Sequence, residues 1–452
     1  MNQESAQSQR LKVFRTLFAG YDGPPFCVRL WDGWFWHSPG ADRPVCTIVF
    51  NSSDAFRTLI AHPSEVTLGE AFIEKQIDVE GDIFSVFTIA EHIFRCPKGR
   101  RRQILEIVSG MMFGLGQWWT EGKRHSAKRD QKAISYHYDQ PAEFYQPWLG
   151  ESLVYSCAYF QSPLDDVDTA QRNKLDLICR KLRLEPCQRF LDIGCGWGSL
   201  IMHAASKYNV YAHGITLSHE QAQVAAARIE RARLAQSCRV NLMDYRKAPQ
   251  EFDIFDRIAS IGMFEHVGLK NLPIYFNTAY RLLKPGGVFL NHGIARAQAV
   301  AKPNASLLDR IVVPFLRDVL LLRPPRNATF IGKYVFPDGE LATISQASRA
   351  AEMAGFEIRD VDNLREHYAL TLRCWVERLR ANADTLLSIV PESTYRVWLL
   401  YMAGSAAAFR RGDIAVYQTL LSRPENGNSH LPLTREDWYQ SSSVIREQHV
   451  KA

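Results

Sequence analysis

The sequence predicts an α/β fold, a parallel sheet with helices between its strands, preceded by a smaller α+β domain. Three observations lead there. Beyond Ala133, apolar runs that read as strands (FLDIG, VYAHGIT, RIASIG, VFLNHGI) alternate with helical stretches (LIMHAASKY, HEQAQVAAARIERARL, NLPIYFNTAYRLLK), the pattern of crossover units in a parallel sheet. The first of these strands runs directly into a glycine-rich loop, FLDIGCGWGSL, and a helix follows. Before residue 95 the apolar segments are shorter and broken by turn signals, as in a small mixed domain.

A chain of 452 residues holds two or three domains at about 100 to 200 residues each. Composition divides it into an N-terminal domain, 1–95, a linker, 96–132, a larger α/β domain, 133–424, and a polar surface extension, 425–452. In the first domain Trp31, Trp34, Phe35 and Trp36 surround an Asp-Gly turn, as core packing of a hairpin or as an apolar pocket. The linker is basic and amphipathic: PKGRRR precedes an apolar stretch ending at Trp118 and Trp119, and EGKRHSAKRDQK follows. Such a segment suits a solvated connector helix, an anionic membrane interface or a nucleic-acid backbone.

With 46% hydrophobic and 23% charged residues, the chain is not of the disordered class. Its nine cysteines form no Cys-x-x-Cys pair, which speaks against a disulfide framework or a zinc finger and for a reduced cytoplasm. The start, MNQESAQSQRLKVF, does not read as a signal peptide. No run of about 18 apolar residues occurs, so no membrane span is expected. A net charge of +6 favours anionic partners.

The glycine loop carries the chemistry. Gly194, Gly196 and Gly198 let the backbone turn sharply and approach a ligand at a helix N-terminus. Their spacing is Gly-x-Gly-x-Gly, not the Gly-x-Gly-x-x-Gly of dinucleotide sites, and Asp192 stands two positions ahead. That combination favours S-adenosylmethionine over NAD in a Rossmann-type domain. A dinucleotide unit places an acid about 20 residues further on to hold the ribose; here Thr216, Leu217 and Gln221 stand instead. In MDYRK, Asp244 suits an adenine amino group and Tyr245 an adenine face, and each reads equally well as an ordinary loop residue.

Several longer segments, in order, resemble the cyclopropane fatty acid synthases and the related mycolic acid cyclopropane synthases: YHYDQPAEFY, YSCAYF, LDIGCGWGSL, GITLSHEQ, SIGMFEHVG, LLKPGGVFLNHGI, KYVFPDGELATIS, HYALTLRCW and AGSAAAFRRGDIAVYQ. The first domain, through LGEAFIEKQIDVEGD, resembles the lipid-binding region of the phospholipid-acting members. The resemblance implies an S-adenosylmethionine-dependent methyltransferase domain behind a small lipid-binding domain. Its substrates would be unsaturated phospholipid acyl chains, reached from an anionic membrane surface by a peripheral, cytoplasmic homodimer with no nucleic-acid partner. It assigns cofactor contacts to Tyr155, Ser156, Gly194, Thr216, Leu217 and Gln221. It also implies a bicarbonate ion held by Cys157, Glu265, His292, the backbone of Ile294, and Tyr368.

An isolated alkene that attacks a sulfonium methyl becomes a carbocation, so the site must tolerate a cation and exclude water. Tyr138, Tyr145, Tyr155, Tyr159, Phe160, Phe264 and Tyr368 are candidates for that lining, each also a plausible packing residue. Glu265 follows the strand RIASIG and His292 ends the strand VFLN, both at the carboxyl ends where α/β sheets bind ligands. Alone, Glu265 reads as a salt-bridged acid, His292 as a satisfied loop histidine and Cys157 as a small core residue. His266 beside Glu265 has no second ligand at helical or hairpin spacing, so no metal is expected. The apolar segment 307–322 reads as a helix covering an acyl channel or as a core helix. The rival readings are a lipid C-methyltransferase giving methyl- or methylene-branched chains, and a noncatalytic lipid- or nucleic-acid-binding protein.

Overall fold

The computed structural model describes residues 3–40, 42–56, 64–95, 140–297, 329–336 and 339–439, which divide into two units. The sequence-predicted linker 96–132, the segment 307–322, Tyr138 and the tail beyond Tyr439 lie outside the described residues.

The first unit contains α1 (Gln3–Leu17), β1 (Phe26–Arg29), β2 (Phe35–His37), β3 (Cys46–Phe50), α2 (Glu65–Ile73), β4 (Ile77–Gly81) and α3 (Ser85–Arg95). Its sheet runs β2-β1-β3-β4, with β1 and β3 parallel and the other pairs antiparallel. The Asp-Gly turn forms as expected: Gly33, at φ +82°, donates its N–H to the Leu30 carbonyl at 3.0 Å. Strand alternation then separates the aromatic cluster. Trp36 turns inward against Phe14 and Phe18, with ring centroids 5.3 and 5.2 Å away. Trp31 and Phe35 are exposed beneath the guanidinium groups of Arg10 and Arg29.

Residues 329–336 and 383–407 also belong to this unit, although the sequence boundaries put both in the α/β domain. Arg396 shows why. Its buried guanidinium donates to the carbonyls of Phe72 at 2.7 Å and Ile77 at 3.3 Å, and lies 4.2 Å from the centroid of the Phe72 ring. A buried guanidinium needs several acceptors, and those near the end of α2 are distant in sequence.

The second unit begins with α4 (Ala142–Leu149), α5 (Val167–Leu182), β5 (Arg189–Ile193), α6 (Ser199–Tyr208), β6 (Tyr211–Thr216), α7 (His219–Arg231) and β7 (Cys238–Leu242). It continues through β8 (Phe255–Ile261), α8 (Leu272–Leu282), β9 (Leu283–Arg296), α9 (Ile344–Met353), β10 (Glu357–Asn363), α10 (Arg365–Ala381) and β11 (Ile414–Ser422). The described strands form one sheet in the order β10-β11-β9-β8-β5-β6-β7. From β9 to β7 it is parallel, and its inner strands carry buried runs such as FLDI of β5, since helices cover both faces.

The expected all-parallel sheet needs one correction: β11 runs antiparallel to both β10 and β9. Asn363 pairs with Tyr417, so the chain between them leaves and re-enters the sheet at the same end. A second correction concerns the polar extension. Trp438 is only 2% exposed, and Lys181, Arg183 and Arg435 lie 5.5, 5.4 and 5.5 Å from its ring centroid. One indole thus docks the extension as far as Tyr439. Trp438→Ala should destabilise this unit by about 3 to 5 kcal/mol, read as an earlier midpoint in denaturant unfolding followed by tryptophan fluorescence.

Candidate active site

Neighbouring strands of β5, the middle strand of the parallel part, connect to opposite faces of the sheet, which leaves a crevice beyond its carboxyl end. The glycine loop opens there. Gly194 has φ +86°, and a Cβ on it would come 2.8 Å from that of Met263. At Gly196, φ +54°, a Cβ would meet nothing within 4 Å, so this backbone faces the crevice directly. Tyr155, Ser156, Asp192, Gly194, Gly196, Thr216, Leu217, Gln221 and Tyr245 all line one pocket.

Each wall has a physical cause. The Thr216 hydroxyl donates to Gln221 Oε1 at 2.8 Å, while Ser218 caps α7 through the Gln221 N–H. Asp192 is buried at the end of β5, and its Oδ1 has no hydrogen-bond partner among the described residues. Burial pushes its carboxyl up to about 7, against the opposing pull of Lys174. Asp244 does not line the pocket. Its carboxylate accepts from the N–H, Nε and Nη2 of Arg246, two residues on, a local ion pair that competes with any ligand.

The segment 153–158 is held from two helices. Gln171 on α5 donates to the Ser156 carbonyl at 2.8 Å, and Lys174 donates to the Ser156 hydroxyl at 2.8 Å. Thr371 on α10 accepts the Ala158 N–H at 3.0 Å. Between these anchors Cys157 is fully buried, with its thiol directed to the carbonyls of Ala158 at 3.2 Å and Leu364 at 3.7 Å. Burial drives its pKa upward, so this is a packed thiol and not a thiolate nucleophile. The same Leu364 carbonyl accepts the Tyr368 N–H, so Tyr368 stands one helical turn along from the residue that the Cys157 thiol faces.

Beyond β8 the chain turns through Gly262, whose N–H donates to the His292 carbonyl, and Glu265 follows on a single 3-10 turn. Ile261 and His292 are the last paired residues of β8 and β9. The N–H of Ile294 therefore lies past the end of β8, and Glu265 Oε1 accepts it at 2.7 Å. The donor that the family resemblance reserves for the ion is thus already engaged. Glu265 Oε2 and His292 Nε2 are both buried with no partner among the described residues. Burial raises the Glu265 carboxyl to about 7. Burial, with Lys174 and Lys181 adding to it, pushes His292 down to about 3, so the ring is neutral.

Of the aromatic candidates, Tyr145, Tyr155 and Tyr368 share one cluster with Trp148, Trp197 and Trp375. Tyr159 and Phe160 instead stack on His367, and Phe264 packs in the core against Tyr275 and Phe276. Lys174, Trp197 and His266 line the pocket without having been singled out for it in the sequence. For Lys174 a signal existed: it lies on the stripe of α5 that carries Leu175, Ile178 and Leu182 into the core.

A glycine loop at the end of a central parallel strand, with a buried carboxylate and a hydroxyl-lined pocket, defines an S-adenosylmethionine-dependent methyltransferase. The family described as Mycolic acid cyclopropane synthetase matches residues 125–419, and the chain belongs to it. Residues 13–93 match a family described as Domain of unknown function (DUF7884). Similar proteins include a "Probable fatty acid methyltransferase" of Pseudomonas putida, 37% identical over 92% of this chain and 96% of that one. The "Cyclopropane-fatty-acyl-phospholipid synthase" of Escherichia coli is 37% identical over 72% of this chain and 75% of its own. Among solved structures, the cyclopropane synthase MmaA2 from Mycobacterium tuberculosis matches 64% of this chain and 97% of its own at TM-score 0.56 and 31% identity. A mycolic acid cyclopropane synthase complexed with SAH and CTAB matches the same shares at TM-score 0.57 and 33% identity.

Asp192 gives the pocket a pH signature. Its carboxyl is raised to about 7 when the pocket is free, and a bound sulfonium cation would lower it. The unbound protein therefore carries a proton below that pH which must leave on binding. S-adenosylmethionine affinity should rise between about pH 5.5 and pH 7, with proton release seen by calorimetry in buffers of different ionisation enthalpy. Asp192→Asn should remove that dependence.

Proposed function

We propose that this chain is a cyclopropane-fatty-acyl-phospholipid synthase, converting a cis double bond of a phospholipid acyl chain into a cyclopropane ring. The observation that carries this reading is the pair of buried atoms without a partner among the described residues, Glu265 Oε2 and His292 Nε2, where the pairing of β8 with β9 ends. Buried polar atoms without partners mark a site that a polar ligand completes.

S-adenosylmethionine, bound along the glycine loop, supplies an electrophilic methyl group. The alkene's electron pair forms the new carbon–carbon bond as the carbon–sulfur bond breaks, and positive charge falls on the other alkene carbon. The Tyr145–Tyr155–Tyr368 cluster would border that cation with aromatic faces and exclude water from it. Ring closure releases one proton from the added methyl. Bicarbonate held by Cys157, Glu265, His292, Ile294 and Tyr368 would supply a base for it. Glu265 gives that ion either an acceptor or a donor, since its carboxyl titrates near neutrality. The neutral ring of His292 offers no competing charge. For the ion to use the Ile294 N–H, Glu265 must give up its own bond to it.

Glu265→Gln keeps the size but loses the titratable oxygen. Turnover should fall about a hundredfold to ten-thousandfold while cofactor affinity stays nearly constant. Mass spectrometry of unsaturated phospholipid incubated with labelled cofactor would show ring-containing product from the wild type, dependent on added bicarbonate. Full ring formation in decarbonated buffer, with the variant as active as wild type, would refute the role of the ion. The second reading, a lipid C-methyltransferase with methyl- or methylene-branched products, is favoured by the name of the Pseudomonas putida relative, and the same product masses and ring content distinguish it.

Peripheral attachment to the cytoplasmic face of an anionic membrane, as a homodimer, belongs to the same proposal. It is supported by the basic residues around 96–132 and by the exposed Trp31 and Phe35, each beneath an arginine. Replacing Arg100, Arg101, Arg102, Lys123 and Arg124 by glutamine should weaken co-sedimentation with anionic vesicles, by about 1 kcal/mol per cation at low salt. Binding indifferent to both the substitutions and ionic strength would exclude this attachment.

A further inference from the structure

Asp362 on β10, Gln418 on β11 and His292 on β9 stand directly opposite one another in register, and α5 lays Lys181 against Gln418 and Asp362. Lys181 Nζ donates to Asp362 Oδ2 at 2.8 Å and to Gln418 Oε1 at 2.9 Å, and Gln418 Nε2 lies 3.2 Å from His292 Nδ1. Lys181, Gln418 and His292 are each no more than 1% exposed, so water does not substitute for any of these partners.

The donor inventory leaves one arrangement. An ammonium group only donates, so the Gln418 atom facing Lys181 must be the carbonyl oxygen. The Gln418 atom facing His292 is then the amide nitrogen, which also only donates. Nδ1 of His292 must therefore accept, and it carries no hydrogen. Since the ring is neutral, its one hydrogen sits on Nε2, the atom without a partner among the described residues.

We infer that Lys181 and Gln418 are positioning residues that lock His292 in its Nε2–H tautomer, so that it presents a single fixed N–H donor to an anionic oxygen in the site. Neither residue touches the reacting atoms. Their effect is to make His292 a donor at that point and never an acceptor, which suits an oxyanion and rejects a cation. The inference rests on the proposed bicarbonate reading only for what the N–H faces; the tautomer itself follows from the relay.

The test is long-range proton–nitrogen NMR on the full chain with labelled histidine, where the signal missing in His292→Gln assigns one residue among thirteen. The wild type should show the neutral Nε2–H pattern, unchanged between about pH 5.5 and pH 8. Gln418→Glu places an acceptor against Nδ1 and should convert His292 to the Nδ1–H or doubly protonated form. Lys181→Met frees the Gln418 amide to turn over and should give a mixture. In that variant the bicarbonate concentration for half-maximal activity should rise about tenfold or more, while S-adenosylmethionine affinity is unchanged. A wild-type ring in the Nδ1–H form, or a tautomer indifferent to both substitutions, overturns the inference. The expected tautomer shifts in a protein whose wild type needs no bicarbonate would instead sink the ion and leave the relay standing.

Discussion

Two ammonium groups buried on one helix face set terms that the catalytic unit has to satisfy. Lys174 and Lys181 lie seven residues apart on α5, and at 3.6 residues per turn both point into the seam between helix and sheet. A charge withdrawn from water there costs several kcal/mol unless well-placed acceptors meet it. Lys174 meets the Ser156 hydroxyl and Lys181 meets Asp362 and Gln418. The acceptors of Lys181 exist only if β10 and β11 hold one register, because a slip of one residue would turn them to the opposite face. One helix, α5, thus reaches both the cofactor-side segment 153–158 and the histidine end of the site.

The same seam explains the electrostatics. Lys174 has its pKa lowered to about 8 by burial, despite the neighbouring Cys157 and Asp192. The acids nearby are raised towards neutrality and the histidine is held neutral.

Much of this was legible in the sequence, and what was not has identifiable causes. The strand–glycine loop–helix unit could be read because its signals are contiguous: an apolar strand, Asp192, then glycines at fixed spacing. Most of the cofactor-side residues chosen that way do line one pocket. Asp244 does not, because Arg246 two positions later captures its carboxylate, a local contest that residue type alone cannot decide. Strands β10 and β11 escaped notice because EIRDVDN is largely polar and alternates weakly, and its partner is separated from it by three helices. Lys181 and Gln418 look like ordinary surface residues until the register of three strands is known. Trp438 sits in a polar stretch whose composition hides one large apolar contact.

The bond from the Ile294 N–H to Glu265 Oε1 bears on how tightly any anion could be held. A vacant oxyanion site with an orphaned amide would be an energetically tense state that clings to whatever relieves it. Here the Glu265 carboxylate already meets the amide's need. Anion binding at this amide would be an exchange of one acceptor for another, with a free energy set by the small difference between two similar sets of hydrogen bonds. An anion bound there as proposed would exchange reversibly with solution, in the manner of a co-substrate and not of a prosthetic group.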